Sequence, residues 1–246
     1  MNISVNYSPN FDVKKRMSRE IKFIVFHYTG MKREADAINK LTNKKSKVSC
    51  HYFIKNNGQI LSLVPDLYIA WHAGVSAWGN YKSINKYSIG VEISNPGHQN
   101  DYKKFSKKQT DSILKLSKFL IKKYNIKDNY ILGHSDIAPD RKIDPGEKFP
   151  WKYFSKNKIG YWHEYKIEFL KNKRNIRLEK KDKFQFVKNL IKIGYQVSSI
   201  TKKTNHLNII TKAFQRRFRP ELINGIIDLE CLLISKNLLK KLNKIS

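Results

Sequence analysis

Short apolar runs of strand length alternate with helical patterns as far as Gly133, and beyond about residue 184 only helical spacing remains. Residues 21–27 (IKFIVFH) are β-branched and aromatic and end at His27-Tyr28-Thr29-Gly30, which predicts a strand. Residues 34–41 read as a short helix. Residues 48–54 and 59–64 are two strands around Asn56-Asn57-Gly58, where Asn-Gly supplies the positive φ of a tight hairpin. Residues 88–94 (SIGVEIS) form a further strand. Ser106 and Gln109 make a capping box for a helix to about Lys123, with Ile113, Leu116 and Leu120 as its apolar stripe. Residues 129–132 are a strand that delivers Gly133-His134 into a Pro/Gly-rich loop. This order predicts an α/β fold, a central mixed sheet flanked by helices, with its chemistry at strand ends.

After about Lys152 charge rises, and residues 171–183 are expected to link two domains, 1–170 and 184–246. Residues 186–194, 205–218 and 228–242 carry apolar positions at helical spacing, with Gly194 and Gly225 as punctuation and Asp228 as a cap. They predict a three-helix module near the size limit for independent folding.

The net charge of +29 first suggests a polyanionic partner. Lys outnumbers Arg by 40 to 9, however, and is spread along the whole chain beside many Ile, Asn and Tyr. That pattern matches a genome-wide bias toward AT-rich codons, and no Arg-rich reading helix is evident, so nucleic acid is not the expected ligand. A basic surface still favours a ligand that bears free carboxylates. Cys50 and Cys231 form neither a disulfide framework nor a CxxC knuckle. The N-terminal residues lack an apolar segment of secretory type, and no apolar run approaches a membrane span. The expected location is therefore cytoplasmic, with the periplasm or cell envelope as the alternative. No obligate protein partner is indicated.

The chemistry concentrates in residues 133–151, GHSDIAPDRKIDPGEKFPW, where His134 precedes Asp144 by ten positions. With His27 at the end of its strand, this makes three candidate ligands of the type that suits a divalent metal such as zinc. Three protein ligands leave a fourth position open, which marks a catalytic rather than a structural site. Glu92 lies within an apolar strand; if it faces a cleft, burial would raise its pKa toward that of a general base. Lys142, two residues before Asp144, would emerge on the same side of an extended segment and could steady an oxyanion. Trp71-His72-Ala73-Gly74 has the composition of a groove for sugar or peptide, so His51, Trp71, His72 and Ala73 are the candidate substrate-binding residues. Of these, His51 reads more readily as a hydrogen-bonded structural histidine than as a metal ligand. His98, His163 and His206 have no supporting context.

Taken together, FIVFHYTG, VSCHYFIKNNGQI, AWHAGVSAW, SIGVEISNPG and GHSDIAPDRKIDPGEKFPW occur in an order that resembles the zinc N-acetylmuramoyl-L-alanine amidases of the amidase-2 type. Those enzymes share a fold with peptidoglycan recognition proteins. The resemblance implies one zinc ion on His27, His134 and Asp144, Glu92 as the catalytic acid/base, and Lys142 as the oxyanion helper. It also implies hydrolysis of the amide between N-acetylmuramic acid and L-alanine, in peptidoglycan or in anhydro-muropeptides. The segment AFQRRFRPELINGIID with the Leu-rich helix after it resembles the peptidoglycan-binding module behind some of these amidases. Arg216, Arg217 and Arg219 would there be candidates to meet acidic stem peptides. A non-catalytic peptidoglycan-recognition protein is the alternative, against which the intact ligand set argues.

Overall fold

The structure is a computed structural model that describes residues 2–196 and 205–245. Its centre is a six-stranded mixed sheet of β1 (Ile3–Val5), β2 (Phe23–Tyr28), β3 (Tyr52–Ile54), β4 (Ile60–Ser62), β5 (Ser88–Ile93) and β6 (Ile131–Gly133), in the spatial order β1-β4-β3-β5-β2-β6. The predicted hairpin forms between β3 and β4, and Gly58 in its turn has φ +83°. All other pairings in the sheet are parallel. β1 and two short ribbons, Phe11–Asp12 with Ile69–Ala70 and Ala77–Trp78 with Tyr81–Lys82, carry too few residues for a periodic signal.

Eight helices surround the sheet among the described residues: α1 (Glu34–Thr42), α2 (Lys107–Tyr124), α3 (His134–Ile137), α4 (Trp151–Lys156), α5 (Ile167–Lys171), α6 (Lys180–Ile193), α7 (Asn205–Phe218) and α8 (Leu229–Ile245). Strand alternation assigns the two sheet faces. Phe53 and its register partner Leu61 pack with Ala37 and Leu41 of α1. Ile54 and its partner Ile60 join the opposite core, with Ile113, Leu116 and Leu120 of α2. Ser106 and Gln109 close the predicted capping box at the start of α2.

The C-terminal helices pack closely on the sheet. One apolar core runs from Phe26 and Leu132 in the sheet through Trp151 to Phe186, Phe214 and Leu238 in α6–α8. The expected linker is also docked: α6 already starts at Lys180, and Arg174 makes a bidentate pair with the buried Glu230 at 2.7 and 2.9 Å. Asp228 caps α8 by accepting the Cys231 N–H. Arg217 and Arg219 do not point at a ligand, as their charge had suggested. Arg219 is buried against Asp228 and Glu230, and Arg217 crosses into the first domain to meet Asp136 at 2.5 Å. Arg217 also donates to the Ile131 carbonyl, and its guanidinium lies 4.2 Å from the centre of the Trp151 ring.

Removing one partner of such a pair leaves a charge buried without compensation. Arg217→Met is therefore expected to destabilise the whole protein by roughly 3–5 kcal/mol, measured by urea unfolding. A loss confined to the C-terminal helices, with the sheet unaffected, would show that the two parts are energetically independent after all.

Candidate metal centre and its cleft

Parallel pairing brings the C-terminal ends of β5, β2 and β6 side by side. The register opposes His27 to Glu92 and Phe26 to Gly133, so His134, one residue beyond Gly133, arrives next to His27. His27, Glu92 and Phe53 occupy matching positions in the register, which puts them on the α1 face of the sheet. After β6 the chain turns at once into α3, where the Asp136 carboxylate accepts the Gly133 N–H at 2.8 Å. The Ser135 N–H donates to the Asp144 carbonyl at 2.8 Å and closes the Pro/Gly-rich loop. His27 Nδ1 and His134 Nδ1 thereby lie 2.9 Å apart, and each is 3.1 Å from Asp144 Oδ2. All three residues are buried.

These atoms fit a divalent metal ion. His134 Nε2 faces the Ala73 carbonyl at 3.1 Å, an acceptor only, so the proton of the neutral ring sits on Nε2 and the Nδ1 lone pair points into the cluster. Burial, and then the neighbouring His134, push the His27 imidazole down to about 4, so it is neutral at physiological pH. Burial raises the Asp144 carboxyl, while charge and hydrogen bonds from His134 and His27 hold it well below the usual carboxylate range; with both Nδ1 atoms unprotonated, that stabilisation has to come from a cation. An anionic oxygen and two nitrogens at this spacing call for a cation between them. A first-row ion bonded at about 2.0–2.2 Å needs tetrahedral donors roughly 3.3 Å apart, close to what is present.

The cluster opens on a cleft of about 420 Å³, lined among others by Glu92, Lys142, Lys40, Trp71 and Arg141. Glu92 Oε2 is buried without a hydrogen-bond partner, which is costly unless the atom serves a reaction. Burial, and then the Asp144 carboxylate, push the Glu92 carboxyl up to about 8, with Lys142 acting in the opposite sense. Lys142 shares the cleft wall with Asp144.

The structure sorts the four candidate substrate-binding residues. Trp71 lines the cleft, with its Nε1–H donated to Asp12 at 2.7 Å. His72 is also in the wall, but its ring nitrogens are engaged by His27 and Ser88. His51 does not reach the cleft: it is fully buried, accepts the Gly90 N–H at Nδ1 and meets the Tyr68 carbonyl through Nε2. Ala73 is buried too and contributes its carbonyl to His134 and Arg141 rather than a surface to substrate. Sequence reading also passed over an array that starts in the same cleft, where Tyr28 and His98 line the wall, and continues to Glu147 outside it. Tyr28 Oη lies 2.9 Å from His98 Nδ1, and His98 Nε2 lies 2.9 Å from Glu147. Its members come from three separate segments, so no local motif announces it.

A mixed sheet with two imidazoles and one carboxylate converging at its strand ends, beside an unpartnered glutamate, is the arrangement of a candidate metal site with an acid/base at its edge. The chain belongs to the N-acetylmuramoyl-L-alanine amidase family, whose sequence model matches residues 17–147. It is 35% identical over 234 residues to the N-acetylmuramoyl-L-alanine amidase AmiD of Escherichia coli, covering 90% of this chain and 83% of that one. It is 34% identical over 165 residues to the 1,6-anhydro-N-acetylmuramyl-L-alanine amidase AmpD of Haemophilus influenzae, covering 60% of this chain and 87% of the relative. Among solved structures, the complex of E. coli AmiD with anhydro-N-acetylmuramic acid-L-Ala-D-γ-Glu-L-Lys superposes with a TM-score of 0.81 at 34% identity, covering 90% of each chain. AmpDh3 from Pseudomonas aeruginosa gives a TM-score of 0.80 at 28% identity, covering 95% of this chain and 96% of the other.

Proposed function

We propose that this chain carries one zinc ion on His27, His134 and Asp144 and hydrolyses the amide between the lactyl group of N-acetylmuramic acid and L-alanine, in anhydro-muropeptides or in peptidoglycan itself. The observation that carries this reading is the buried triad beside the unpartnered Glu92 Oε2. When bound, the ion supplies a Lewis acid that acidifies a water and polarises a carbonyl. Glu92 takes a proton from the attacking water and returns it to the leaving amine, and its desolvated carboxyl suits both transfers. Lys142 places an ammonium where the scissile oxygen gains negative charge. The complex of AmiD with an anhydro-muramyl peptide supports the substrate class. Lys40 and Arg141, in the same cleft, provide the positive charge that a stem peptide with free carboxylates needs.

The test is product identification by mass after separate incubation with sacculi and with anhydro-muropeptides. Release of a peptide headed by L-alanine is expected, abolished by a chelator and restored by zinc. Binding without release would favour a recognition protein instead, and release insensitive to the chelator would remove the metal from the scheme.

A further inference from the structure

Within the segment Trp71–Gly74, His72 and Ala73 direct hydrogen bonds to the two histidine ligands, His72 to His27 and the Ala73 carbonyl to His134. The Ile84 carbonyl can only accept, so the hydroxyl of Ser88, 2.8 Å away, donates to it. The Ser88 Oγ lone pair is then left for His72 Nε2 at 3.0 Å, which must carry its proton. A neutral His72 therefore has its lone pair on Nδ1, which faces His27 Nε2 at 3.0 Å. His27 Nε2 is the donor in that contact, and its own lone pair is on Nδ1, toward His134 and Asp144. Each direction follows from the one before it, starting at a backbone carbonyl. The adjacent residue treats the other imidazole in one step, since the Ala73 carbonyl accepts from His134 Nε2.

The surroundings are built to hold this arrangement. Asn85 Oδ1 accepts the N–H groups of both His72 and Ala73, at 3.2 and 2.7 Å, and so fixes the dipeptide. Gly90 lets the His72 ring lie flush on β5: a Cβ there would sit 2.4 Å from His72 Cγ. The His72 and His27 rings meet edge to face at 82°, with centroids 5.1 Å apart.

We infer that His72–Ala73 is the positioning element that sets the tautomer of both histidine ligands, through Ser88 and the Ile84 carbonyl for His27 and through its own carbonyl for His134. It acts on the metal through the ligands. It rests on the metal reading given above.

Partners of this kind typically carry 10- to 100-fold in metal affinity. In the full chain, His72→Phe is expected to weaken zinc binding by roughly that factor in chelator competition, with KM close to wild type. His72→Asn, whose Oδ1 can take the acceptor place of Nδ1, should recover most of the loss. Nitrogen-15 spectra of the zinc-loaded wild-type protein should show both His27 and His134 protonated at Nε2. Zinc affinity of His72→Phe within twofold of wild type, or a His27 proton on Nδ1, overturns the inference. So does a rise in KM at unchanged affinity, which would return His72 to substrate binding. Because the spectra need no variant, the inference stays testable even if His72→Phe does not fold. Absence of zinc binding by the wild type would instead sink the metal reading itself.

Discussion

Asp144→Ala is expected to release the metal and with it the activity, a larger loss than any single outer hydrogen-bond partner carries. Asp144 Oδ2 is 3.1 Å from both imidazoles and supplies the negative charge of the set. Without it two neutral nitrogens remain, with no compensating charge for a dication in a buried site. The measurement is metal content after dialysis, together with turnover of an anhydro-muropeptide. Turnover near wild type in the variant after dialysis would exclude Asp144 as a ligand. His134→Ala should behave in the same way, whereas Lys142→Met should keep the metal and lose turnover.

Glu92→Gln separates metal binding from proton transfer. Zinc should stay bound, because Glu92 is not among the three converging ligands, while turnover falls by about 10²–10⁴-fold. The same variant has a stability signature in metal-free protein. The folded-state value of Glu92, about 8, lies above the 4.5 of an ordinary glutamate, so the folded protein retains a proton that the unfolded chain releases. The stability attached to that group is complete below about pH 4.5 and is lost as pH rises through 8. Gln has no such proton to lose. Its Tm advantage over wild type should therefore widen from pH 5 to pH 9, by an amount equivalent to roughly a few kcal/mol. Equal Tm values across that range would mean that Glu92 is solvated, and a fully active variant would remove it from the mechanism.

The contrast between Glu92 and His51 shows how far sequence could go. Both sit within or beside apolar strands, where local pattern leaves the direction of the side chain open. The register decides it: Glu92 lies opposite His27 and faces the cleft, while His51 faces the interior and bonds to Gly90 and Tyr68. The AWHAG segment shows a related limit. Its rings suggested substrate contact, but the role of His72 depends on Ser88 and Ile84, which approach it only because β5 runs beneath the turn.

The hairpin at Asn57-Gly58, the box at Ser106 and Gln109, the apolar runs of β2 and β5 and the helical periodicity of α6–α8 are local properties, set by turn chemistry, capping and side-chain period. The sequence alone also determined the types of residue at the candidate metal centre, because the chemistry of a divalent ion restricts its ligands to few choices. The tertiary structure decided which of them meet. Parallel pairing of β2 with β6 puts His134 beside His27, 107 positions away in the chain. Tertiary structure likewise decided that α6, α7 and α8 share a continuous apolar core with the sheet. The internal role of Arg217 is not legible locally because its partner Asp136 lies 81 residues earlier, two positions beyond His134. Burial, long-range charge pairing and hydrogen-bond direction arise from neighbours in space, and no window along the chain contains them.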